Sequence, residues 1–171
     1  MDPKTLSVLV VCTGNICRSP TGEGVLRHLV RGRGLEEAIR IASAGTHDYH
    51  VGECPDARSI KHARKRGYDL SAQRAMQVSP EHFQEFDYML AMDRTHLRLL
   101  RGMAPPGARA RLGMFLEASS RWKGEDVPDP YYGGAEGFEQ VLDRVEEAAG
   151  HWLDIIAAEL DPERFQLRSP R

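Results

Sequence analysis

No apolar stretch in this sequence approaches the ~20 residues needed to cross a bilayer. The longest β-prone run, residues 6–11, is far shorter and leads straight into a cysteine. The first six residues also lack the basic start and long apolar stretch of a secretory leader. A cytoplasmic protein with no membrane partner is therefore expected. Cysteine is scarce: there are three, Cys12, Cys17 and Cys54. An odd number without framework spacing argues against disulfide staples and leaves catalytic, redox or packing roles. Neither sign of charge prevails, the formal net charge being −2, so no global basic field exists to recruit nucleic acid. There is no internal repeat, low-complexity tract or linker. A chain of 171 residues then reads as one domain over 1–171, with 161–171 a loose polar tail after Asp161-Pro162.

What the sequence does contain is an alternation of short apolar runs and amphipathic stretches. Residues 7–11 read as a strand buried on both faces. Ser19 and Pro20 suit the N-cap and first position of a helix that carries Val25, Leu26, Leu29 and Val30 and stops at Gly32 and Gly34. Further strands are predicted over 39–42, 86–92 and 112–116, and helices over 55–67 and 94–101. Two prolines and two glycines make 127–134 a loop. Phe138, Val141, Leu142, Val145, Ala149, Trp152, Ile156 and Leu160 then mark a long amphipathic helix. Strands alternating with helices imply an α/β fold, a single domain with a central four-stranded parallel sheet flanked by helices on both faces. Ligands of such folds bind at the carboxyl ends of the strands, where Cys12 falls.

Cys12 ends the first strand, Arg18 follows after five residues, and a helix begins at once. A short loop feeding a helix N-terminus aims successive backbone N–H groups at one spot, and the helix dipole adds positive potential there. A phosphate dianion suits that cup. Arg18 offers a planar fork matching two of its oxygens, and the same potential favours a sulfur anion at Cys12. Gly14 and Asn15 are the loop residues best able to take left-handed backbone. No Gly-Lys-Ser/Thr follows, so this is not the loop of a nucleotide-binding P-loop. A phosphoryl-transfer site also needs an acid for the leaving oxygen. Asp129, between Pro128 and Pro130, is presented by a backbone that proline restricts on both sides.

Together, Val11 to Pro20 and Asp129 to Tyr132 resemble the low-molecular-weight protein tyrosine phosphatases, with their Val-Cys-x-Gly-Asn-Ile-Cys-Arg-Ser-Pro and Asp-Pro-Tyr-Tyr segments. Ser43-Ala44-Gly45, the run from Gly67 to Ser71 and the run from Phe86 to Asp93 extend the likeness over about residues 5 to 160. The resemblance implies hydrolysis of phosphotyrosine, with Cys12 as nucleophile, Arg18 as phosphate clamp and Asp129 as general acid and base. It implies that Thr13, Gly14, Asn15, Ile16 and Cys17 shape the phosphate loop. Ser19 would donate a hydrogen bond to the Cys12 sulfur, and Asn15 would be held through Ser19 and Ser43. Tyr131, Tyr132 and, on the opposite wall, Tyr49 would line a slot for a phenyl ring. No metal or organic cofactor is implied. The implied partners are phosphotyrosine proteins and, by analogy with bacterial members, a tyrosine kinase. Phosphate-like oxyanions would inhibit, and a monomer or weak dimer is expected. Cys17 would either pack beneath the loop or form a protective disulfide with Cys12 under peroxide. Gln73 stands where the family has a histidine that braces the loop asparagine, and Met76 where it has an arginine; Gln73 is expected to keep a supporting hydrogen bond.

Three rivals are weighed. A protein arginine phosphatase resembles the same loop but carries threonine at the position of Ile16. An arsenate reductase needs relay cysteines, and the corresponding stretch, about residues 80–95, has none. A phosphate-binding module would need neither the thiol nor the acid. The basic run Arg58, Lys61, His62, Arg64, Lys65 and Arg66 reads as a solvated face or an attraction for acidic phosphopeptides, and His47, His50 and Cys54 lack a second motif that would complete a metal site.

Overall fold

The computed structural model describes residues 4–161. Four parallel strands form one sheet in the order β2-β1-β3-β4: β1 is Leu6–Cys12, β2 Ile39–Gly45, β3 Tyr88–Ala91 and β4 Arg111–Met114. The helices are α1 (Arg18–Gly32), α2 (Ala57–Lys65), a single turn α3 (His82–Glu85), α4 (Arg94–Met103) and α5 (Ala135–Leu160), with a 3₁₀ turn at Phe115–Ala118. This is the expected single α/β domain. The loose tail expected over 161–171 lies outside the described residues except for Asp161, whose N–H bonds the Ala157 carbonyl at the end of α5. No helix among the described residues is long and apolar enough to cross a membrane.

β1 is buried along its whole length, and its side chains alternate between the two faces with the period of two that a strand imposes. Leu6, Val8, Val10 and Cys12 pack into a core with Val25 and Leu26 of α1 and Val141, Leu142 and Val145 of α5. Leu9 and Val11 face the second core, with Met89 and Ala91 of β3, Phe83 of α3, and Leu97 and Leu100 of α4. Each fully buried aliphatic side chain contributes about 1.5–3 kcal/mol, and both faces of the central strand draw on it. The chain runs from β1 to β2 on one side, then crosses to β3 on the other. That reversal opens a crevice at the end of β1, and Cys12 stands there.

Several boundaries differ from expectation. α2 begins two residues late because Asp56 caps it, its side chain accepting from Arg58 N. The strand expected over 112–116 ends at Met114, and Phe115 starts the 3₁₀ turn that buries its ring while its carbonyl accepts from Trp152 Nε1 at 2.6 Å. Ser19 is not an N-cap. The helix begins at Arg18 with Cys17 in the capping position and no side-chain cap, because the Ser19 hydroxyl is used elsewhere.

The pairing of β1 with β2 continues beyond the sheet: Thr46 N donates to the Cys12 carbonyl at 2.8 Å and His47 N to the Thr13 carbonyl at 3.0 Å. Gly45 is the hinge of that approach. A Cβ there would lie 2.6 Å from the Thr13 carbonyl oxygen and 3.2 Å from the Asn15 nitrogen. Both are backbone atoms that cannot swing aside. Gly45→Ala should therefore lower the unfolding free energy by about 2 kcal/mol or more, read by urea denaturation.

Candidate active site

Seven residues carry the chain from Cys12, the last of β1, to Arg18, the first of α1. Their shape depends on Asn15, the one non-glycine residue with positive φ (58°) among the described residues. Gly14 does not share that conformation. Its missing Cβ is needed instead because one would meet the His50 ring at 2.9 Å.

The Asn15 amide holds the turn from behind. Its Oδ1 accepts from Met76 N at 3.0 Å, which fixes the amide's orientation. Its Nδ2 donates to Ser19 Oγ at 2.8 Å and to Ser43 Oγ at 2.9 Å. Ser19 Oγ, which accepts from Asn15, lies 3.0 Å from Cys12 Sγ and 3.5 Å from the Ala44 carbonyl, so the sulfur is the nearer acceptor for its proton. Ser43 Oγ in turn donates to Glu23 Oε1 at 2.7 Å. Burial raises the Glu23 carboxyl above its ordinary value against the pull of Ser43 and Arg27. Gln73 does not reach Asn15. Its Nε2 donates to the Pro20 carbonyl at 3.0 Å, so it steadies the first turn of α1 rather than the asparagine, whose Oδ1 a backbone N–H already fills.

Arg18 is buried and tied at three points. Nη1 donates to Asp93 Oδ2 at 2.9 Å and to the Val127 carbonyl at 3.0 Å, and Nη2 lies 3.8 Å from Asp129 Oδ2. Burial opposes charge on Asp93, but the His96 N–H and the guanidinium outweigh it and hold the carboxyl below its usual value. The loop carrying Asp129 hangs on the sheet through Val127 N to the Met92 carbonyl. Tyr131 N returns to Asp129 Oδ1 at 3.1 Å, and Arg58 Nη2 takes the Tyr131 carbonyl at 3.0 Å.

Cys12, Arg18 and Asp129 line one cavity of about 250 Å³, shared with Thr13, Gly14, Ile16 and Cys17. Tyr49 and His50 wall it on one side, Tyr131 and Tyr132 on the other. Tyr49 stacks on His47 at 5.0 Å and the tyrosine pair meets edge to face at 4.9 Å, so both walls present aromatic surface. Cys12 and Cys17 are both free and buried, and burial pushes the Cys17 thiol up to about 12. Cys54 is exposed. No group of three or more metal-ligating side chains occurs among the described residues. On the basic run, Arg58 is paired with Asp56, Arg66 with Glu139, Asp143 and Glu146, and His62 with Glu139.

One cavity thus gathers a thiol, a guanidinium and a carboxyl beside the loop that enters α1, and the sequence profile described as low molecular weight phosphotyrosine protein phosphatase matches residues 7–164. The chain belongs to that family. A putative low molecular weight protein-tyrosine-phosphatase of Synechocystis is 42% identical over 156 residues, 91% of this chain and 99% of the relative. A protein tyrosine phosphatase structure from Entamoeba histolytica superposes with a TM-score of 0.87 at 34% identity, covering 91% of this chain and 99% of the other. A Drosophila arginine phosphatase structure gives 0.82 at 31% identity, covering 87% and 96%. The phosphatase also holds groups that its sequence did not announce. Asp93 read only as the end of a run resembling the family, and His96 only as a position in the following helix. Glu23 had one available signal, its spacing of four from Ser19, which sets both on one face of α1.

His96 is almost fully buried, and burial, with the Arg18 charge beside it, lowers its imidazole from 6.5 to about 4. Asp93 partly opposes this, with Asp129 and His47 acting in smaller measure. Unfolded, the residue protonates at its ordinary value. Its neutral form thus stabilises the fold fully above about pH 6.5, and the contribution drains away as pH falls toward 4, a loss of about 3 kcal/mol. His96→Gln should flatten that part of the pH–stability curve, measured by denaturant titration between pH 4 and 7.

Proposed function

We propose that this phosphatase hydrolyses phosphotyrosine in proteins through a phosphocysteine at Cys12. The observation that carries the reading is that the Cys12 thiol, the Arg18 guanidinium and the Asp129 carboxyl open onto one cavity between aromatic walls. Ser19 Oγ, 3.0 Å from Cys12 Sγ, is placed to donate to the sulfur that attacks phosphorus. Sulfur attacks, the bond from phosphorus to the phenolic oxygen breaks, and Asp129 in its acid form gives that oxygen a proton. Asp129, now a carboxylate, takes a proton from water as the water oxygen bonds to phosphorus; the phosphorus–sulfur bond breaks, the Cys12 thiolate leaves and inorganic phosphate is formed. Arg18 and the loop N–H groups hold the equatorial oxygens throughout. Arg18 can serve both steps because Asp93 and Val127 fix its plane while Nη2 faces the cavity. The chemistry proposed uses no cofactor. Phosphate-like oxyanions would compete for the same cup.

A second reading has one observation in its favour: an arginine phosphatase of similar fold aligns over most of the chain, so the scaffold alone does not choose between substrates. Ile16 lines the cavity, and an apolar β-branched side chain there suits an aryl ring better than a guanidinium. Phosphotyrosine is therefore the substrate we assign.

The purified protein should turn over an aryl phosphate in EDTA, and Cys12→Ser should abolish turnover. Asp129→Ala should slow substrates with poor leaving groups by 10²-fold or more and those with good ones far less. Equal slowing of both would remove Asp129 from the acid role. Parallel kinetics on phosphotyrosine, phosphoarginine and phosphoserine peptides test the substrate, and a preference for phosphoarginine would reverse the assignment.

A further inference from the structure

The first turn of α4 touches both ends of the phosphate loop. Asp93 takes the guanidinium of Arg18 at the far end. His96, three residues on, has its Nε2 2.7 Å from Thr13 Oγ1 at the near end, one residue past the nucleophile. We infer that His96 is a positioning residue for the phosphatase reaction, tying Thr13 to α4 and so holding Cys12 at a set distance from Arg18.

The direction of the bond follows from what surrounds the ring. His96 Nδ1 lies 3.1 Å from Asp93 Oδ1, off the line of a hydrogen bond. A lone pair on Nδ1 would face that carboxylate and be repelled, whereas an N–H there is attracted. Nδ1 therefore carries the hydrogen, and Nε2 accepts from the Thr13 hydroxyl. The Thr13 proton is committed to the imidazole and is not donated into the cavity. The buried ring stays neutral near pH 7, so it holds Thr13 with one polarity and carries no proton in the reaction.

Thr13 is gripped a second time through its carbonyl, which accepts from His47 N at 3.0 Å. One bond runs to the turn after β2 and the other to α4, from opposite sides of the sheet's central strand. With both made, Thr13 is held at its carbonyl and at its side chain, next to a Cys12 carbonyl that already accepts from Thr46 N. With the His96 bond lost, the loop keeps its Asn15 support but its entry is held on one side only. Small displacements of a reacting group are felt strongly in rate, so the loss belongs in kcat.

This inference rests on the residue roles proposed above, and its test separates the two. The variants are T13V, H96A, H96Q, H96N and the double variant T13V/H96A, assayed with 4-nitrophenyl phosphate. Melting temperature is measured alongside, as is binding of orthovanadate and inorganic phosphate without turnover. H96A and T13V should each lower kcat about tenfold with KM changed less than twofold, and should weaken vanadate, which mimics the five-coordinate state, more than phosphate. The double variant should be no slower than the slower single, because one bond is lost in each. A glutamine amide can set an acceptor near the place of Nε2, so H96Q should recover most of the rate, while the shorter H96N should not. Multiplying losses in the double variant, a change in KM alone, or kcat within twofold of the parent in T13V would each overturn the inference. Should H96A fail to fold, T13V and H96Q still decide it. A parent protein that binds phosphate but does not turn over the aryl ester would sink the proposed residue roles instead, and the vanadate comparison would then decide on His96.

Discussion

Asn15 adopts a backbone conformation that costs an ordinary residue about 1–2 kcal/mol, and the anion cup depends on it. At φ 58° the chain reverses within one residue, so that the loop's N–H groups can turn inward before α1 begins. The cost is offset behind the loop, where the Asn15 side chain makes three hydrogen bonds, to Met76, Ser19 and Ser43. Bonds of this kind contribute about 1 kcal/mol each, enough to outweigh the strain. The same amide sets the Ser19 hydroxyl against Cys12 Sγ. Backbone shape and nucleophile environment thus come from one side chain, and Glu23 closes the network through Ser43.

Arg18 poses the opposite problem. A buried guanidinium is expensive unless it is paired and its donors are filled. Asp93 supplies the charge, and the Val127 carbonyl fills a donor while tethering the loop that carries Asp129. Fixing the cation therefore also fixes the entry to the acid loop. Asp129 stays exposed, 3.8 Å from Nη2, at the mouth of the cavity that Arg18 also lines.

How legible all this was in the sequence depends on how local each interaction is. The loop and the segment of Asp129, which the fold brings to one cavity, were readable because each is contiguous and has a composition with few other uses: a cysteine at a strand end, Gly-Asn, an arginine at a helix start, an aspartate between prolines. Ser19 shows where that reading stops. Before a proline at a helix start, serine is the expected cap, yet the loop's demand for a donor at Cys12 outranks capping. Gly14 and Gln73 likewise have roles that local rules misassign. One is small because His50 packs on it from 36 residues away, and the other bonds Pro20 because Met76 N reaches Asn15 first.

The order of amino acids was enough to specify the parallel α/β architecture and the phosphatase family to which the chain belongs. Hydrophobic period, turn composition and helix starts are properties of neighbours in the chain. Only the folded arrangement decided which distant groups support the loop: Asp93 on Arg18, His96 on Thr13, Glu23 behind Ser43. These pairs are joined by strand order and helix packing, and a polar side chain on a buried face bears no mark in the sequence of the partner it will meet.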